Sequence, residues 1–262
     1  MHILVAWLIF MFCFFCSVCN CFAYDIAAYS KETPSESHPV LNLVFCPLYY
    51  QDKEVFLKDL DGLVQRLKKT RPFDEYIKET GFYYIDISGE EVNTIFKKTR
   101  DFPPLKARRH FLEYILARLK SDYKLIIVDA LGSVSCAELS SADTMSLVIL
   151  GKRRYGDNNS FTKGFLHELG HSLGLRDECV HCAQLCSPGP PNCAANKKEA
   201  ESWWGDLVGK VPGLNYIGGC CGNKDYIRPT IASLMNDPDK AEDFGPVNER
   251  YLKKIFRKSD MP

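Results

Sequence analysis

Apolar residues along the chain fall into runs of two kinds, and each kind predicts a different element. Runs that are apolar at nearly every position predict strands buried on both faces, as in the middle of a parallel sheet. Four such runs stand in the first 150 residues, at 41–45, 82–87, 124–129 and 145–150.

The second kind of run has apolar residues three and four positions apart, which predicts amphipathic helices. Strands that alternate with helices predict an α/β (α+β) fold with a mixed, mostly parallel sheet. After Gly174 the periodicity weakens, and Cys, Gly and Pro become frequent up to about residue 235. The predicted helices cover 56–67, 111–119, 160–173, 196–208 and 247–256.

The first 23 residues differ from the rest of the chain. Positions 3–23 carry no charge, and about 20 apolar residues can span a membrane. Cys21-Phe22-Ala23 also places small residues where a signal peptidase would cleave. We therefore predict a signal peptide or an uncleaved membrane anchor over residues 1–23, a polar linker over 24–40, and one domain over 41–262. Either N-terminal segment implies a secreted or cell-envelope protein, with membrane anchorage as the alternative.

Twelve cysteines are present, and eight of them follow residue 23. An even number in an exported domain predicts disulfides, although the pairing cannot be read from sequence. The alternative is a second, structural zinc site that uses Cys179, Cys182 and two later Cys or His residues. The eight are Cys46, Cys136, Cys179, Cys182, Cys186, Cys193, Cys220 and Cys221.

The segment HELGHSLGLRDE, residues 167–178, contains the candidate chemistry. His167 and His171 are four residues apart, so on a helix they share one face and can bind one zinc ion. Glu168 is rotated by about 100° from His167, because an α-helix has 3.6 residues per turn. It can therefore act as the general base towards a zinc-activated water without being a ligand.

The residues after His171 predict how a third ligand reaches the metal. Gly174 can adopt the left-handed conformation that ends a helix and turns the chain sharply. Such a turn would return Asp177 to the metal as an oxygen ligand. Three protein ligands and an open fourth position are typical of a catalytic zinc site.

These residues resemble the metzincin zinc peptidases, and His-Glu-x-x-His-x-x-Gly-x-x-Asp is the variant with Asp as third ligand. The closing Asp-Glu pair is most similar to the IgA-protease-type family, and the stretch 226–237, YIRPTIASLMND, resembles that family's approach to its Met-turn. The resemblance implies a metzincin-like zincin fold with a Cys-rich lower subdomain. It also implies that Met235 lies beneath the metal, that Glu178 points away from it and braces the loop, and that MSLVIL (145–150) is the antiparallel edge strand above the cleft.

The resemblance is incomplete, because Cys179 stands where the family has Tyr directly after the Asp-Glu pair. Cleavage of IgA is therefore not inferred. The candidates in the lower lip of the cleft are expected to have surface or structural roles, and none is predicted to stabilise the oxyanion. They are Asp206, Tyr216, Tyr226 and Arg228.

The predicted function is that of a secreted zinc metalloendopeptidase, a hydrolase with one catalytic Zn²⁺ in a catalytic domain over 41–262. Its partner would be a peptide or protein substrate. Basic and acidic residues balance at 33 each, which gives no indication of nucleic-acid binding. A membrane would be involved only through an uncleaved N-terminal segment, and the oligomeric state is open. The alternatives are a non-catalytic zinc-binding or disulfide-rich adhesion module on the same scaffold, and a disulfide-rich structural protein with an accidental HExxH.

Overall fold

The computed structural model describes residues 25–29, 39–87, 96–98, 105–107, 109–119, 123–138, 146–181 and 186–259. Within these residues, none of the helices combines the length and the apolar character that crossing a membrane requires. The predicted segment 1–23 and most of the predicted linker lie outside the described residues.

The strands of the described residues form one six-stranded sheet and two hairpins. The order in the large sheet is β1-β3-β2-β6-β8-β7, and the two hairpins are β4-β5 and β9-β10. The strands are β1 Asp25–Ala28, β2 Leu41–Leu48, β3 Thr80–Asp86, β4 Phe96–Lys98, β5 Leu105–Ala107, β6 Lys124–Asp129, β7 Cys136–Ala137, β8 Ser146–Gly151, β9 Ile217–Cys220 and β10 Asn223–Arg228.

Helices connect and cover these strands, and each predicted helix has a counterpart within a few residues of its predicted ends. Two 3₁₀ turns, Ile77–Glu79 and Lys152–Arg154, complete the regular structure of the described residues. The α-helices are α1 Lys53–Leu67, α2 Phe73–Tyr76, α3 Arg109–Leu119, α4 Asn158–Ser172, α5 Lys197–Trp204 and α6 Pro246–Ser259.

The middle of the large sheet confirms the predicted α/β fold with a mostly parallel sheet. Strand β6 is parallel to β2 on one side and to β8 on the other. Alternate β6 residues enter two separate cores: Ile126 and Val128 pack with α1 and α4, whereas Leu125 and Ile127 pack with α3. Because both faces are covered, every residue from Lys124 to Val128 is buried, which accounts for the apolar run.

The prediction that MSLVIL forms the antiparallel edge strand is wrong. Strand β8 is parallel to β6, and all six of its residues are buried. The edge is the two-residue strand β7, which pairs antiparallel with β8 through Cys136↔Ile149 and Ala137↔Val148. A strand that is apolar at every position is covered on both faces, so this composition belongs to the inside of the sheet.

A second difference concerns the predicted linker. Residues 25–28 form β1, which pairs antiparallel with β3 at the opposite edge of the sheet. The strand DIAA is short, half exposed and without clear alternation. Its pairing partner, and not its own pattern, makes it a strand.

Disulfides hold the region that follows α4, as predicted. Cys186 is bonded to Cys221 and Cys193 to Cys220. Cys179 is disulfide-bonded as well, so it offers no thiolate for the second zinc site that was the alternative. The remaining described cysteines, Cys46 and Cys136, are free thiols buried in the large sheet.

Candidate metal centre

Helix α4 carries the candidate metal ligands and is buried along most of its length. Its N-terminus is capped by Asp157, whose Oδ1 accepts a hydrogen bond of 2.9 Å from the Ser160 backbone N–H. Phe165, Leu166 and Leu169 pack in the core shared with α1 and the sheet. The packing fixes the rotation of the helix and so directs the two histidines to the opposite side.

Backbone carbonyls orient both imidazoles. His167 Nδ1 lies 2.8 Å from Leu234 O, and His171 Nδ1 lies 2.9 Å from Leu175 O. A carbonyl oxygen can only accept, so in each neutral ring Nδ1 carries the proton and Nε2 has a free lone pair. This second hydrogen bond is the usual way in which a metal-binding histidine is held.

Asp177, the predicted third ligand, lies beside the two histidines. Its Oδ1 is 3.4 Å from the Nε2 atom of each histidine, and the two Nε2 atoms are 3.1 Å apart. A tetrahedral zinc with bonds of about 2.0–2.1 Å places its ligand atoms roughly 3.3–3.4 Å from one another. Two facing lone pairs at this distance also repel unless a proton or a metal cation lies between them. The donor set therefore fits one zinc ion.

The turn that brings Asp177 back begins at Gly174, whose φ of 96° is in the left-handed region, as predicted. Leu175 N–H then donates to Gly170 O at 3.0 Å. The side chain of Asn192 pairs with both backbone groups of Arg176, at 3.0 and 2.8 Å. These bonds hold the backbone on both sides of the turn, so Asp177 is fixed before any metal binds.

Glu168 lies beside the histidines, and its carboxylate and both imidazoles form one group of ligand-type atoms within 4.8 Å. The residue is 5% exposed. Burial raises the pKa of Glu168 to about 7, although the charges of His171 and Arg154 act in the opposite direction. A carboxyl group with a pKa near neutrality can both take up and release a proton at physiological pH.

The electrostatics of the three proposed ligands couple metal binding to the release of a proton. Burial alone would lower the pKa of His171, but the hydrogen bond with Asp177 and its charge raise it to about 9, so this ring must lose a proton before it binds zinc. Burial and the neighbouring His171 lower the pKa of His167 to about 4, so this ring is neutral at physiological pH. Burial alone would raise the pKa of Asp177, but the hydrogen bond with His171 and the charges of both histidines lower it below its usual value. A neutral imidazole and an ionised carboxylate are the forms that bind zinc.

Glu178 occupies a different environment from its neighbour Asp177. Its carboxylate is fully buried and accepts hydrogen bonds from Ser233 Oγ at 2.6 Å, Asn192 Nδ2 at 2.9 Å and Asn248 Nδ2 at 2.8 Å. It therefore ties the loop after α4 to the segment around residue 234 and to α6. The Glu178 side chain therefore braces the loop, as the resemblance implied.

Met235 is fully buried beneath this site. A Cβ on Gly170 would lie 2.6 Å from Met235 Sδ, so the thioether packs directly against α4 between the two histidine turns. The Met235 carbonyl also accepts a hydrogen bond of 2.8 Å from Glu178 N–H. The segment at 234–235 thus supports His167, Glu178 and α4 together.

Two of the candidates in the lower lip, Arg228 and Asp206, have the structural and surface roles that were expected of them. Arg228 donates from Nη1 to Glu178 O at 2.6 Å and to Gly219 O at 3.0 Å, which makes it structural. Asp206 pairs with Arg250 at 2.8 Å, on the exposed surface. Their partners could not be predicted from the sequence, because they are backbone carbonyls or residues from distant segments.

Comparisons with known proteins find little similarity. No protein-family model and no curated protein matches the chain. Among solved structures, a crystal structure of archaemetzincin from Methanopyrus kandleri is similar at a TM-score of 0.39 and 13% identity, over 85% of this chain and 98% of that one. A likeness this weak carries no conclusion about activity, which therefore depends on the geometry of the site.

Proposed function

We propose that the protein is a zinc-dependent endopeptidase. The observation that supports this proposal is the triangle of His167 Nε2, His171 Nε2 and Asp177 Oδ1, with edges of 3.1, 3.4 and 3.4 Å, next to a buried carboxylate. Three ligands leave one position of a tetrahedral zinc open, as hydrolytic zinc sites require.

The chain's own residues have separate tasks in the proposed reaction. When bound, zinc would supply a Lewis acid that makes water more acidic and polarises the scissile carbonyl. His167, His171 and Asp177 would hold it. Glu168 takes a proton from the attacking water and delivers it to the nitrogen of the leaving amine. Its pKa of about 7 suits both steps, because the group must exchange a proton in each direction.

The substrate class follows from the edge of the sheet. Strand β7 has no strand beyond it among the described residues. An extended peptide can add to such an edge through main-chain hydrogen bonds, largely independently of its sequence. We therefore propose a peptide or protein substrate that lies along β7.

Export is part of the proposal. Disulfides persist in oxidising compartments and are rare in the cytosol, and the described residues contain two complete disulfides. The apolar segment 3–23 would direct export, either as a signal peptide or as an anchor.

A non-catalytic zinc-binding module on the same scaffold is the alternative. Such a module needs the three ligands but gains nothing from a buried carboxylate beside them, because burial of a charged group costs stability. Glu168 therefore favours the peptidase.

The test is digestion of a peptide library by the purified protein, with and without a chelator, followed by mass spectrometry. We expect cleavage that stops on chelation and returns when zinc is added back. The matched variant is Glu168→Gln, which should bind zinc and leave the library uncut. A wild-type protein that binds zinc and cuts no peptide would support the binding module instead.

A further inference from the structure

The direction of a bound peptide follows from the strands next to the site. Strand β8 runs from Ser146 to Gly151, and β7 is antiparallel to it. Antiparallel pairing is the slightly more stable of the two arrangements, so a peptide on β7 would run in the direction of β8. Its C-terminal part then extends towards the Gly151 end of the sheet.

Helix α4 runs the opposite way beneath this edge. Its last residue, Ser172, accepts a hydrogen bond of 3.4 Å from Ser146 Oγ, at the beginning of β8. Its first turn therefore lies towards the Gly151 end. Along the cleft, the residues that precede His167 and Glu168 in α4 face the C-terminal side of the scissile bond.

Arg154 lies at that end of the cleft. It is the last residue of the 3₁₀ turn directly after β8, and it is exposed. Its Nη1 donates to Ser135 O at 3.3 Å, immediately before β7. The adjacent Tyr155 packs against Gly164, one helical turn before Glu168, since a Cβ there would lie 2.2 Å from the Tyr155 ring.

At the opposite end of β7, Glu138 is exposed. The edge strand thus has an acidic group at one end and a basic group at the other.

The other two basic residues of the turn differ from Arg154. Lys152 is paired with Asp59 at 2.5 Å, on α1. Arg153 is exposed, and its backbone N–H donates to Gly132 O, in the loop before β7. Arg154 is therefore the one of the three whose side chain reaches the edge strand.

We propose that Arg154 is a specificity residue that binds a carboxylate on the C-terminal side of the scissile bond. The inference rests on the proposed peptidase function and narrows its substrates to peptides with a negative charge there. The charge can come from an acidic side chain or from the chain terminus, because the guanidinium recognises the same group in both.

The experiment uses two sets of probes on the full mature protein. The first set is peptide substrates in which Glu or Gln occupies successive positions after the cleaved bond, with amidated ends, and a Gln peptide with a free C-terminal carboxylate. The second set is hydroxamates extended on the C-terminal side by the same residues. A hydroxamate chelates zinc, so it fixes the register and reports affinity by calorimetry without any turnover.

We expect both kcat/KM and hydroxamate affinity to be about tenfold higher for one of the carboxylate probes than for its neutral match. A tenfold ratio is about what one charge-assisted hydrogen bond at an exposed site contributes. Arg154→Gln should abolish this ratio, and Arg154→Lys should retain part of it. The matched control, Arg153→Gln, loses the same charge from the same turn and should keep the ratio. A purely structural role of Arg154 would change all probes alike and leave the ratio intact.

The possible failures are distinguishable. If no hydroxamate binds and no peptide is cut, the proposed peptidase function is wrong. If hydroxamates bind but the wild-type protein treats Glu, Gln and the free terminus equally, or Arg154→Gln keeps the preference, only the inference on Arg154 is wrong. The inference on Arg154 is also wrong if the preference for the carboxylate probe disappears equally in Arg153→Gln. The preference would then arise from the total charge of the turn and not from Arg154 itself.

Discussion

Asp177 and Glu178 are adjacent in the sequence, but their carboxylates face opposite sides of the loop. Asp177 approaches both histidines, whereas Glu178 accepts three buried hydrogen bonds from Ser233, Asn192 and Asn248. We predict that Asp177→Ala weakens zinc binding by more than about 100-fold and abolishes hydrolysis. The loss of a metal ligand costs more zinc affinity than the loss of a residue that only hydrogen-bonds to a ligand.

Glu178→Ala should bind zinc at the same stoichiometry but lower the free energy of unfolding by about 2–5 kcal/mol, because three buried groups lose their acceptor. Zinc content, chemical unfolding and peptide hydrolysis of both variants are the measurements. If Glu178→Ala loses the metal while Asp177→Ala holds it as the wild type does, the two assignments must be exchanged.

Glu168 is the basis of a second prediction at the scale of residues, which concerns the pH dependence of stability. Burial raises its pKa from an ordinary value of 4.5 to about 7 in the metal-free protein. A raised pKa means that the folded state binds the proton more tightly than the unfolded state does. The bound proton therefore adds its full contribution to the free energy of unfolding below about pH 4.5, and this contribution is lost as the pH rises through 7. The loss is on the order of 3 kcal/mol, since one pKa unit corresponds to about 1.4 kcal/mol.

The control is the metal-free Glu168→Gln variant, in which this proton is absent. Relative to the variant, the metal-free wild type should lose stability between pH 4.5 and 7 in urea unfolding. Equal pH dependence of the two proteins would show that Glu168 is not desolvated as the structure indicates.

At the scale of elements, the strongly periodic segments were predictable and the short ones were not. Helix α4 and strand β6 have long apolar patterns, and their bounds agree with the prediction within two residues. Strand β7 has two residues, which is too short for any period to appear. The hairpin of β9 and β10 contains an irregular register, so its alternation is lost. The resemblance therefore assigned the edge to β8, the apolar run that precedes α4.

The packing of α4 on Met235 gives an element-scale prediction. A Cβ on Gly170 would lie 2.6 Å from Met235 Sδ and 3.0 Å from the Phe244 ring, so one of them must shift. We expect Gly170→Ala to lower stability by about 1–3 kcal/mol and to weaken zinc binding, because the displaced segment carries the carbonyl that orients His167.

Gly156→Ala is the control for this substitution, since a Cβ at Gly156 has no atom within 4 Å. It should leave thermal unfolding and zinc affinity close to those of the wild type. If the two alanine variants are indistinguishable, Met235 does not restrain the helix.

For the whole molecule, the proposed metal donors could be selected from the sequence because they lie within eleven residues, from His167 to Asp177. Their supports were not, because they come from Asn192, Leu234 and Asn248, which are far away in the sequence. The sheet and α4 place the histidines, and the disulfide-bonded lower region places Asp177. The candidate metal centre therefore lies where the two parts meet, and its geometry depends on both.

This dependence leads to the last prediction. Cys221 N–H donates to Asp177 O at 3.0 Å, and Cys221 is bonded to Cys186 across 35 residues. A disulfide that closes a loop of this length contributes about 2–4 kcal/mol. The double variant Cys186→Ser/Cys221→Ser should lose stability of that size and also bind zinc more weakly, because the backbone beside Asp177 loses its anchor.

Thiol labelling tests the same arrangement directly. In the unfolded, non-reduced protein, Cys46 and Cys136 should be labelled. The five cysteines that are disulfide-bonded within the described part of the chain should not be labelled: Cys179, Cys186, Cys193, Cys220 and Cys221. Cys46→Ser is the control for the double variant, since it removes a buried thiol in β2, in the large sheet and not in the disulfide-bonded region. It should leave zinc affinity unchanged even if it lowers stability. Equal zinc affinity in the double variant and the wild type would show that the metal site forms independently of the lower region.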